Sequence, residues 1–173
     1  MKRLKTRATP KPGPKGARIA IVRARWNEEI TLALERGAIL RAADAGAVVD
    51  LFEVPGSFEL PAAVALLADT GRYDAVVPLG CLVRGETPHF DVLAHAVARG
   101  IVDLSTTYPI AIPFGILTCD TIEQAAARAG GAEGNKGTDF MDAALEMIAL
   151  RHALASDAAR SRPRRRASSR STR

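Results

Sequence analysis

The sequence predicts a single α/β domain, a three-layer α/β/α sandwich with a four-stranded parallel sheet. Strand patterns and helix patterns alternate along the chain with short connections, which is the order that builds parallel sheets through βαβ units. The strand segments are mostly apolar, as expected where helices cover both faces of a sheet. With 173 residues, the chain has room for one such domain.

The first βα unit follows a basic N-terminal segment. The apolar run from Arg18 to Arg23 indicates a buried strand. Asn27 is placed to cap the following helix, and Glu28 and Glu29 occupy its first turn, where the helix dipole favours acids. An apolar face then recurs every three or four residues until Gly46 ends the helix; it comprises Ile30, Leu34, Ala38 and Ala42.

Two further units follow with the same pattern. The second strand is predicted from Val48 to Val54, and the helix after it ends near Gly71, with an apolar face formed by Leu60, Val64 and Leu67. The third strand, Ala75 to Val83, is an almost unbroken apolar run. It leads into a long amphipathic helix, whose apolar face comprises Phe90, Leu93, Val97, Ile101 and Leu104.

The fourth unit is less regular. A strand is predicted from Ile110 to Leu117, and Asp120 with Glu123 forms a capping-box pattern for a short helix that ends at Gly130. A glycine-rich turn over residues 130–137 precedes the last helix, whose apolar face includes Met141, Leu145 and Ile148.

Two prolines interrupt predicted strands. Pro78 and Pro113 each lie within an apolar run, where a proline removes one hydrogen-bond donor from the ladder. We therefore expect either bulges or locally unpaired strand ends at these positions.

The net charge of +5 is unevenly distributed. Residues 1–18 carry seven Lys or Arg and no acid, and residues 156–173 carry seven Arg and one Asp, so the two ends contribute +13 and residues 19–155 carry −8. We predict a basic, Pro-rich N-terminal arm over residues 1–17, a folded domain over residues 18–155, and a disordered Arg-rich tail over residues 156–173.

The composition excludes several classes of protein. Hydrophobic residues make up 47% and charged residues 25% of the chain, which is ordinary for a globular protein. No apolar run approaches the roughly 20 residues of a membrane span, and the basic N-terminus lacks the apolar stretch of a secretory signal. Cys81 and Cys119 lie in apolar strands, as buried thiols do in a reducing compartment. We expect a cytoplasmic location, no membrane contact and no metal site.

The candidate chemistry lies after the predicted strands. Ligands of open parallel sheets bind beyond the carboxyl ends of the strands, and polar or glycine-rich segments follow each of them here. These segments are Arg25–Asn27, Pro55–Glu59 and Arg84–Asp91, with Phe114 contributed by the fourth strand. We therefore expect a binding site at this edge of the sheet.

The third segment suggests an anion site with a histidine beside it. Gly85 and Thr87 stand just ahead of a helix, where backbone N–H groups and the helix dipole favour a bound phosphate. His89 lies in the first turn of that helix, and histidine suits proton transfer near neutral pH. From spacing alone, His89 could equally be an ordinary surface residue beside a helix cap.

The other candidates also have ordinary explanations. Arg128 could simply interact favourably with the negative end of a helix dipole, and Lys136 could be a solvated residue in a glycine turn. Trp26 could be a core residue or a stacking platform for a flat heterocycle. Ser57 and Glu59 could simply cap the second helix. No single residue decides between these alternatives.

Taken together, the segments resemble the lumazine synthase family. They match it in order and spacing from about Arg18 to Leu154, and the run Gly85-Glu86-Thr87-Pro88-His89-Phe90-Asp91 is highly specific in that context. The other matching segments are Arg25–Asn27, Pro55–Pro61, Leu79–Arg84, Phe114–Thr118, Glu123–Gly130 and Gly134–Gly137. The resemblance implies a flavodoxin-like fold and a transferase of riboflavin biosynthesis. Such an enzyme would condense 5-amino-6-ribitylaminouracil with 3,4-dihydroxy-2-butanone 4-phosphate to 6,7-dimethyl-8-ribityllumazine, releasing phosphate and water, without a cofactor.

The resemblance also implies a role for each candidate. Trp26 would stack on the pyrimidine, and the backbone around Leu82 and Val83 would bind the edge of that ring. His89 would shuttle protons, oriented by Asp91. The ribityl chain would be bound by Asn27, Ser57 and Glu59 beside Phe58, and the phosphate by Gly85, Glu86, Thr87 and Arg128. Phe114, Arg128 and Lys136 would come from the adjacent subunit.

Two residues depart from the pattern common in the family. Many members have Phe where this chain has Trp26, which offers a wider stacking surface. Glu86 places a carboxylate beside the expected phosphate, where many members have a small or neutral residue. Its side chain must therefore point away from the site for phosphate to bind.

The family resemblance further implies assembly. Its members form homo-pentamers, and some pack twelve pentamers into a 60-subunit icosahedral shell; association with riboflavin synthase is a further expectation. The short turn over residues 130–137 favours the shell. The alternative function is a non-catalytic flavin-binding or shell-forming relative whose basic tails bind nucleic acid through salt-dependent phosphate contacts.

Overall fold

The computed structural model describes residues 15–161. The first four strands and the five α-helices of these residues follow the predicted alternation, and two further short strands lie between the last two helices. The strands are β1 (Arg18–Ala24), β2 (Val48–Val54), β3 (Ala75–Val83), β4 (Ile116–Cys119), β5 (Ala129–Gly131) and β6 (Gly134–Asn135). The helices are α1 (Glu28–Asp44), α2 (Leu60–Asp69), α3 (His89–Thr107), α4 (Ile122–Arg128) and α5 (Lys136–Ser161), and a 3₁₀ turn (Ser57–Glu59) precedes α2.

The first four strands form one parallel sheet in the order β2-β1-β3-β4. Side chains alternate along β1, so Ile19 and Ile21 face the core shared with α1, α4 and α5. Ala20 and Val22 face the core shared with α2 and α3. Helices therefore cover both faces of the sheet, and the predicted three-layer α/β/α, flavodoxin-like fold is confirmed.

The two strand prolines lie in a gap of the β3–β4 ladder, one residue out of register with each other. Val76 and Gly80 donate their backbone N–H groups to the oxygens of Ala111 (2.9 Å) and Gly115 (3.2 Å). Pro78 lies between them and has no N–H to donate, and Pro113 lacks the donor for the adjoining rung. The Ala75–Ala111 bridge and the Gly80–Ile116 pair have the same register. The prolines thus leave rungs unpaired without a bulge.

This gap shortens the fourth strand. We predicted a strand from Ile110 to Leu117, whereas β4 covers only Ile116–Cys119 and is preceded by a single bridge at Ala111. On the other side of β3, Pro78 remains in register with Val22 of β1. The apolar pattern indicated the buried segment correctly, but the missing donors restrict regular pairing to its last two residues, Ile116 and Leu117.

Two helix starts also differ from the sequence prediction. The cap of α4 is Thr121, whose side chain accepts a hydrogen bond from the Gln124 N–H (3.3 Å), rather than the predicted Asp120. The Gln124 side chain in turn accepts from the Asp120 N–H (3.0 Å). The turn before α5 is a hairpin of β5 and β6, and Lys136 is the first residue of α5 rather than part of the turn.

The helix α5 continues into the segment that we assigned to the tail. It ends at Ser161, so residues 156–161 are helical, and residues 15–17 of the predicted arm pack beside α1 and β2, where Ala17 accepts from the Val48 N–H (2.8 Å). The predictions for residues 1–14 and 162–173 lie outside the described residues. No helix between residues 15 and 161 is long and apolar enough to cross a membrane.

A buried arginine connects the elements below the first loop of the site. Arg23, only 2% exposed, lies on β1 and forms ion pairs with Glu53 of β2 and with Glu35 (3.3 Å) and Glu28 (3.9 Å) of α1. A buried charge is costly unless it is paired. The three carboxylates therefore allow Arg23 to link two strands and a helix where β1 approaches the loop at Trp26.

Candidate active site

A cavity of about 640 Å³ opens at the carboxyl ends of β1, β2 and β3. It lies where the sheet order reverses between β1 and β3, the usual ligand position in doubly wound sheets. Ten of the predicted site residues line it: Trp26, Asn27, Ser57, Phe58, Glu59, Leu82, Val83, Gly85, Thr87 and His89. Chain segments that are distant in sequence therefore converge on one volume.

The loop after β1 is held by hydrogen bonds to both neighbouring strands. The N–H groups of Arg25 and Trp26 donate to the oxygens of Val54 (2.9 Å) and Pro55 (3.2 Å), beside β2. The Asn27 side chain donates through Nδ2 to the Cys81 oxygen of β3 (2.9 Å). These contacts fix the backbone that presents Trp26, whose side chain is 74% exposed at the cavity.

Asn27 performs a different local task from the one predicted. It precedes α1 in the left-handed conformation (φ 57°, ψ 48°), and its side chain makes no capping hydrogen bond. Asparagine tolerates this conformation better than most residues with a side chain. Asn27 therefore occupies the predicted N-cap position, but its amide group connects the loop to β3 instead of capping the helix.

The 3₁₀ turn after β2 places one buried polar group beside the cavity, without a hydrogen-bond partner among the described residues. Ser57 is 5% exposed, and its Oγ has no hydrogen-bond partner among the described residues. Gly80 leaves room for it, because a Cβ at Gly80 would lie 2.6 Å from that oxygen. Glu59, in contrast, accepts a hydrogen bond from the Gly56 N–H (2.9 Å) and holds the turn. A buried hydroxyl without a partner is suited to bind a ligand.

The segment between β3 and α3 forms the opposite wall. Gly85 and Thr87 line the cavity, whereas Glu86 is exposed and is not among the lining residues. The Thr87 Oγ1 accepts from the His89 N–H at 3.4 Å, and α3 begins at His89 and continues for 19 residues. The start of this long helix therefore directs its positive dipole end and backbone donors toward the cavity.

Asp91 does not orient His89 in this structure, contrary to our expectation. Its two carboxylate oxygens accept from Arg84 Nη1 (2.8 Å) and Nη2 (3.0 Å). Hydrogen bonds from this guanidinium lower the pKa of Asp91 below its ordinary value. The carboxylate therefore forms an ion pair that connects the end of β3 to the first turn of α3, where His89 also lies.

Arg84 is a residue of this loop to which sequence reasoning assigned no role. Its Nε donates to Asp120 (2.9 Å), and its guanidinium lies 4.3 Å from the centre of the Phe90 ring. One side chain therefore connects the end of β3, the start of α3 and the end of β4. An arginine directly before Gly85 was visible in the sequence, but only the fold shows that its guanidinium forms ion pairs with two carboxylates.

Besides Glu86, three predicted residues lie outside the cavity of this chain. Phe114, 40% exposed, Arg128 and Lys136 are absent from the described lining. Arg128 donates through Nη1 to the Gln124 oxygen (3.1 Å), and the Lys136 Nζ contacts Asp139 (2.6 Å). Both cations stand at the base of the same hairpin, because Arg128 precedes β5, Lys136 follows β6, and Ala129 pairs with Asn135.

Comparisons with known proteins show the family of the chain. Residues 16–152 match the family model described as 6,7-dimethyl-8-ribityllumazine synthase. The chain belongs to this family. Proteins of that name include one from Methylobacterium radiotolerans, 48% identical over 84% of this chain and 92% of the relative, and one from Gemmatimonas aurantiaca, 44% identical over 80% and 87%. A third, from Chlorobium phaeovibrioides, is 45% identical over 82% and 94%.

The match to the lumazine synthase family covers every residue of the cavity and the β5–β6 hairpin. Membership identifies the chain as a transferase of riboflavin biosynthesis, in a family known for oligomeric assembly. The pentamer, the shell and the association with riboflavin synthase are finer expectations. The cytoplasmic location that the composition predicts also stays a prediction.

Proposed function

We propose that the cavity condenses 5-amino-6-ribitylaminouracil with 3,4-dihydroxy-2-butanone 4-phosphate to give 6,7-dimethyl-8-ribityllumazine. The observation that carries the proposal is the chemistry of the cavity wall. An exposed indole, a buried hydroxyl without a protein partner, and a Gly-Thr loop at a helix start surround one volume together with His89. These groups complement a flat heterocycle, a polyol chain and a phosphate, and about 640 Å³ is within the usual range for small-molecule sites.

In this proposal the pyrimidine stacks on Trp26 and the ribityl chain lies toward Ser57. The rigid loop supports stacking, because its backbone is held by Val54 and Pro55. The Ser57 Oγ gains a partner when a ligand hydroxyl reaches it, and Phe58 and Glu59 close the same side of the cavity. The Nδ2 of Asn27 is already used for Cys81, so its Oδ1 is the atom that would accept from the ligand.

The phosphate of the second substrate occupies the loop before α3. Backbone N–H groups of Gly85 and Glu86 and the Thr87 hydroxyl bind it, with Arg128 of an adjacent subunit supplying a charge-assisted hydrogen bond. The exposed position of the Glu86 side chain, away from the cavity lining, supports this arrangement. Arg84 is not the phosphate ligand, because Asp91 and Asp120 already accept its hydrogen bonds.

His89 moves the protons of the reaction. The substrate amine attacks the ketone and loses water to form an imine. Loss of the adjacent C3 proton gives an enamine, whose electrons form a new C=C bond as phosphate leaves with its C–O bond electrons. The resulting enol takes a proton on carbon to become a ketone, and the second amine adds to this ketone and loses water to close the ring. These steps transfer protons to or from nitrogen, oxygen and carbon, and His89 lines the cavity beside the phosphate loop. Much of the acceleration arises from holding two reactants together.

The complete site needs a second copy of the chain. The proposed contributors Phe114, Arg128 and Lys136 lie outside the cavity formed by their own chain, so the neighbouring subunit supplies them. A homo-pentamer provides five equivalent sites of this kind. The tight hairpin at residues 129–135 is consistent with the short turn that favours a 60-subunit shell.

The first experiment is an assay of lumazine formation from the two substrates, followed by the visible absorbance of the product. We expect clear acceleration over an enzyme-free control, which is required because the reactants combine slowly unaided. Arg128→Ala should reduce kcat/KM for the phosphate substrate about 10- to 100-fold, as expected for loss of a charged hydrogen bond. No acceleration by the assembled protein would contradict the proposed reaction.

The exposure of Trp26 supports a second candidate function, flavin binding without catalysis. A ligand that stacks on this indole should quench its fluorescence, and Trp26 is the single tryptophan of the chain. Quenching by riboflavin together with no lumazine formation would favour this alternative. Nucleic-acid binding by the basic tails stays a prediction, because residues 1–14 and 162–173 lie outside the described residues.

A further inference from the structure

Asn135 lies outside the cavity and joins the β5–β6 hairpin to α1. Its Nδ2 donates to the Ala33 oxygen of α1 (2.7 Å), and its Oδ1 accepts from the Gly137 N–H at the start of α5 (2.8 Å). The second bond is that of a helix N-cap. One half-buried amide therefore holds three elements together at the residue directly before Lys136.

Two glycines make this joint sterically possible. A Cβ at Gly37 of α1 would lie 2.7 Å from Asn135 Nδ2 and collide with the rest of that amide. A Cβ at Gly137 would collide with the Leu34 oxygen of α1 and lie 2.9 Å from Asn135 Oδ1. The Thr138 hydroxyl also donates to the Gly37 oxygen (3.4 Å). The start of α5 thus approaches α1 more closely than side chains at these two positions would allow.

We propose that Asn135 is a positioning residue, which anchors the hairpin to α1 and so sets the placement of Arg128 and Lys136 for the neighbouring subunit's site. The register supports this role, because Asn135 pairs with Ala129 and the two cations flank that pair. The inference rests on the proposed function, in which both cations act across the subunit interface. Asn135 itself contacts neither the cavity nor a proposed ligand.

The Asn135→Asp substitution removes the hydrogen bond to Ala33 of α1 and keeps the helix cap at Gly137. Aspartate caps a helix as well as asparagine does, but it has no N–H for the Ala33 oxygen and places a carboxylate against that carbonyl. We expect kcat/KM for the phosphate substrate to fall about tenfold, while the pentamer remains assembled. The same substitution in an Arg128→Ala, Lys136→Ala background should cause no further loss, because the groups that it misplaces are absent.

Three results are decisive. An equal loss from Asn135→Asp in both backgrounds, or full activity of Asn135→Asp, would overturn the positioning role. Full activity of the Arg128→Ala, Lys136→Ala variant would instead contradict the shared site of the proposed function. If Asn135→Asp does not fold, Gly37→Ala breaks the same joint from the side of α1, and its activity loss should likewise disappear without the two cations.

Discussion

At the residue scale, the polar groups of the cavity wall differ in whether they already have a hydrogen-bond partner in the protein. Asn27 and Glu59 use side-chain atoms to hold their own loops, through Cys81 and Gly56. The Ser57 hydroxyl is buried and has no partner among residues 15–161. Groups that already have partners shape the site, whereas an unpaired group can gain a hydrogen bond when ligand enters.

The role of His89 can be tested by removing its imidazole. We expect His89→Ala to slow lumazine formation by at most about 100-fold, the low end of general acid–base effects, because proximity supplies much of the rate. The Phe114 and Arg128 side chains remain available in this variant, so substrate KM should change little. A rate equal to that of the unmodified chain would show that His89 carries no essential proton.

The ion pair of Arg84 and Asp91 predicts a pH-dependent contribution to stability. The pKa of Asp91 is lowered in the folded state by hydrogen bonds from Arg84, so the contribution is present above the ordinary pKa of aspartate, about 4. It is lost as pH falls through the lower folded pKa.

Asp91→Asn should therefore unfold more readily than the unmodified chain at pH 7, and this difference should shrink below about pH 4. Thermal unfolding at fixed protein concentration measures it. Asp103→Asn is the matched control, since Asp103 pairs with Arg99 within one exposed face of α3, and such pairs contribute little. A difference that stays constant across this pH range would contradict the assignment.

At the scale of elements, the β3–β4 pair combines a missing set of hydrogen bonds with a very close backbone contact. A Cβ at Gly115 would collide with the Pro78 oxygen. The glycine therefore lets the chain pass Pro78 just before β4 resumes regular pairing at Ile116. Phe114, the residue that we assign to a neighbouring site, lies immediately before this contact.

Gly115→Ala should destabilise the protein by about 1–3 kcal/mol, the usual cost of overpacking. Because the obstacle is backbone rather than a flexible side chain, β4 must shift to accommodate the methyl group. Urea unfolding compares this variant with Thr118→Ala, a change at an exposed position of the same strand, which should cost no more than about 0.5 kcal/mol. Equal stability of the two variants would contradict the close contact.

At the scale of the whole molecule, the proposed site uses two separate faces of the chain. The cavity carries His89 at one edge of the sheet, and the hairpin carries Arg128 and Lys136 outside that cavity. Two copies placed head to tail would bring the faces together, and repetition around a ring would complete every site.

Subunit complementation tests this arrangement. In mixed assemblies of His89→Ala and Arg128→Ala chains, some interfaces combine an intact His89 from one subunit with an intact Arg128 from the next. Co-expressed variants should therefore be more active than the average of the two separate variants. Unmixed assemblies, combined after folding, provide the control. Activity no higher than that average would place both residues within one subunit.

Much of the fold follows from local patterns. Val48 to Val54 and Ala75 to Val83 were predicted with the bounds that the structure has, because short apolar runs between turn signals have few alternatives. The segments Arg25–Asn27, Pro55–Glu59 and Arg84–Asp91 were placed at one edge of the sheet, since the carboxyl ends of parallel strands meet there.

The sequence by itself determined the order of the elements, the buried faces and the segments that surround the cavity. Only the tertiary structure decided which partner each polar group takes. In the folded chain, Arg84 donates hydrogen bonds to Asp91 and Asp120. Asn27 donates to Cys81, and Asn135 donates to Ala33. Periodicity is a property of neighbouring residues along the chain, whereas each of these hydrogen bonds depends on groups brought together from distant segments by packing.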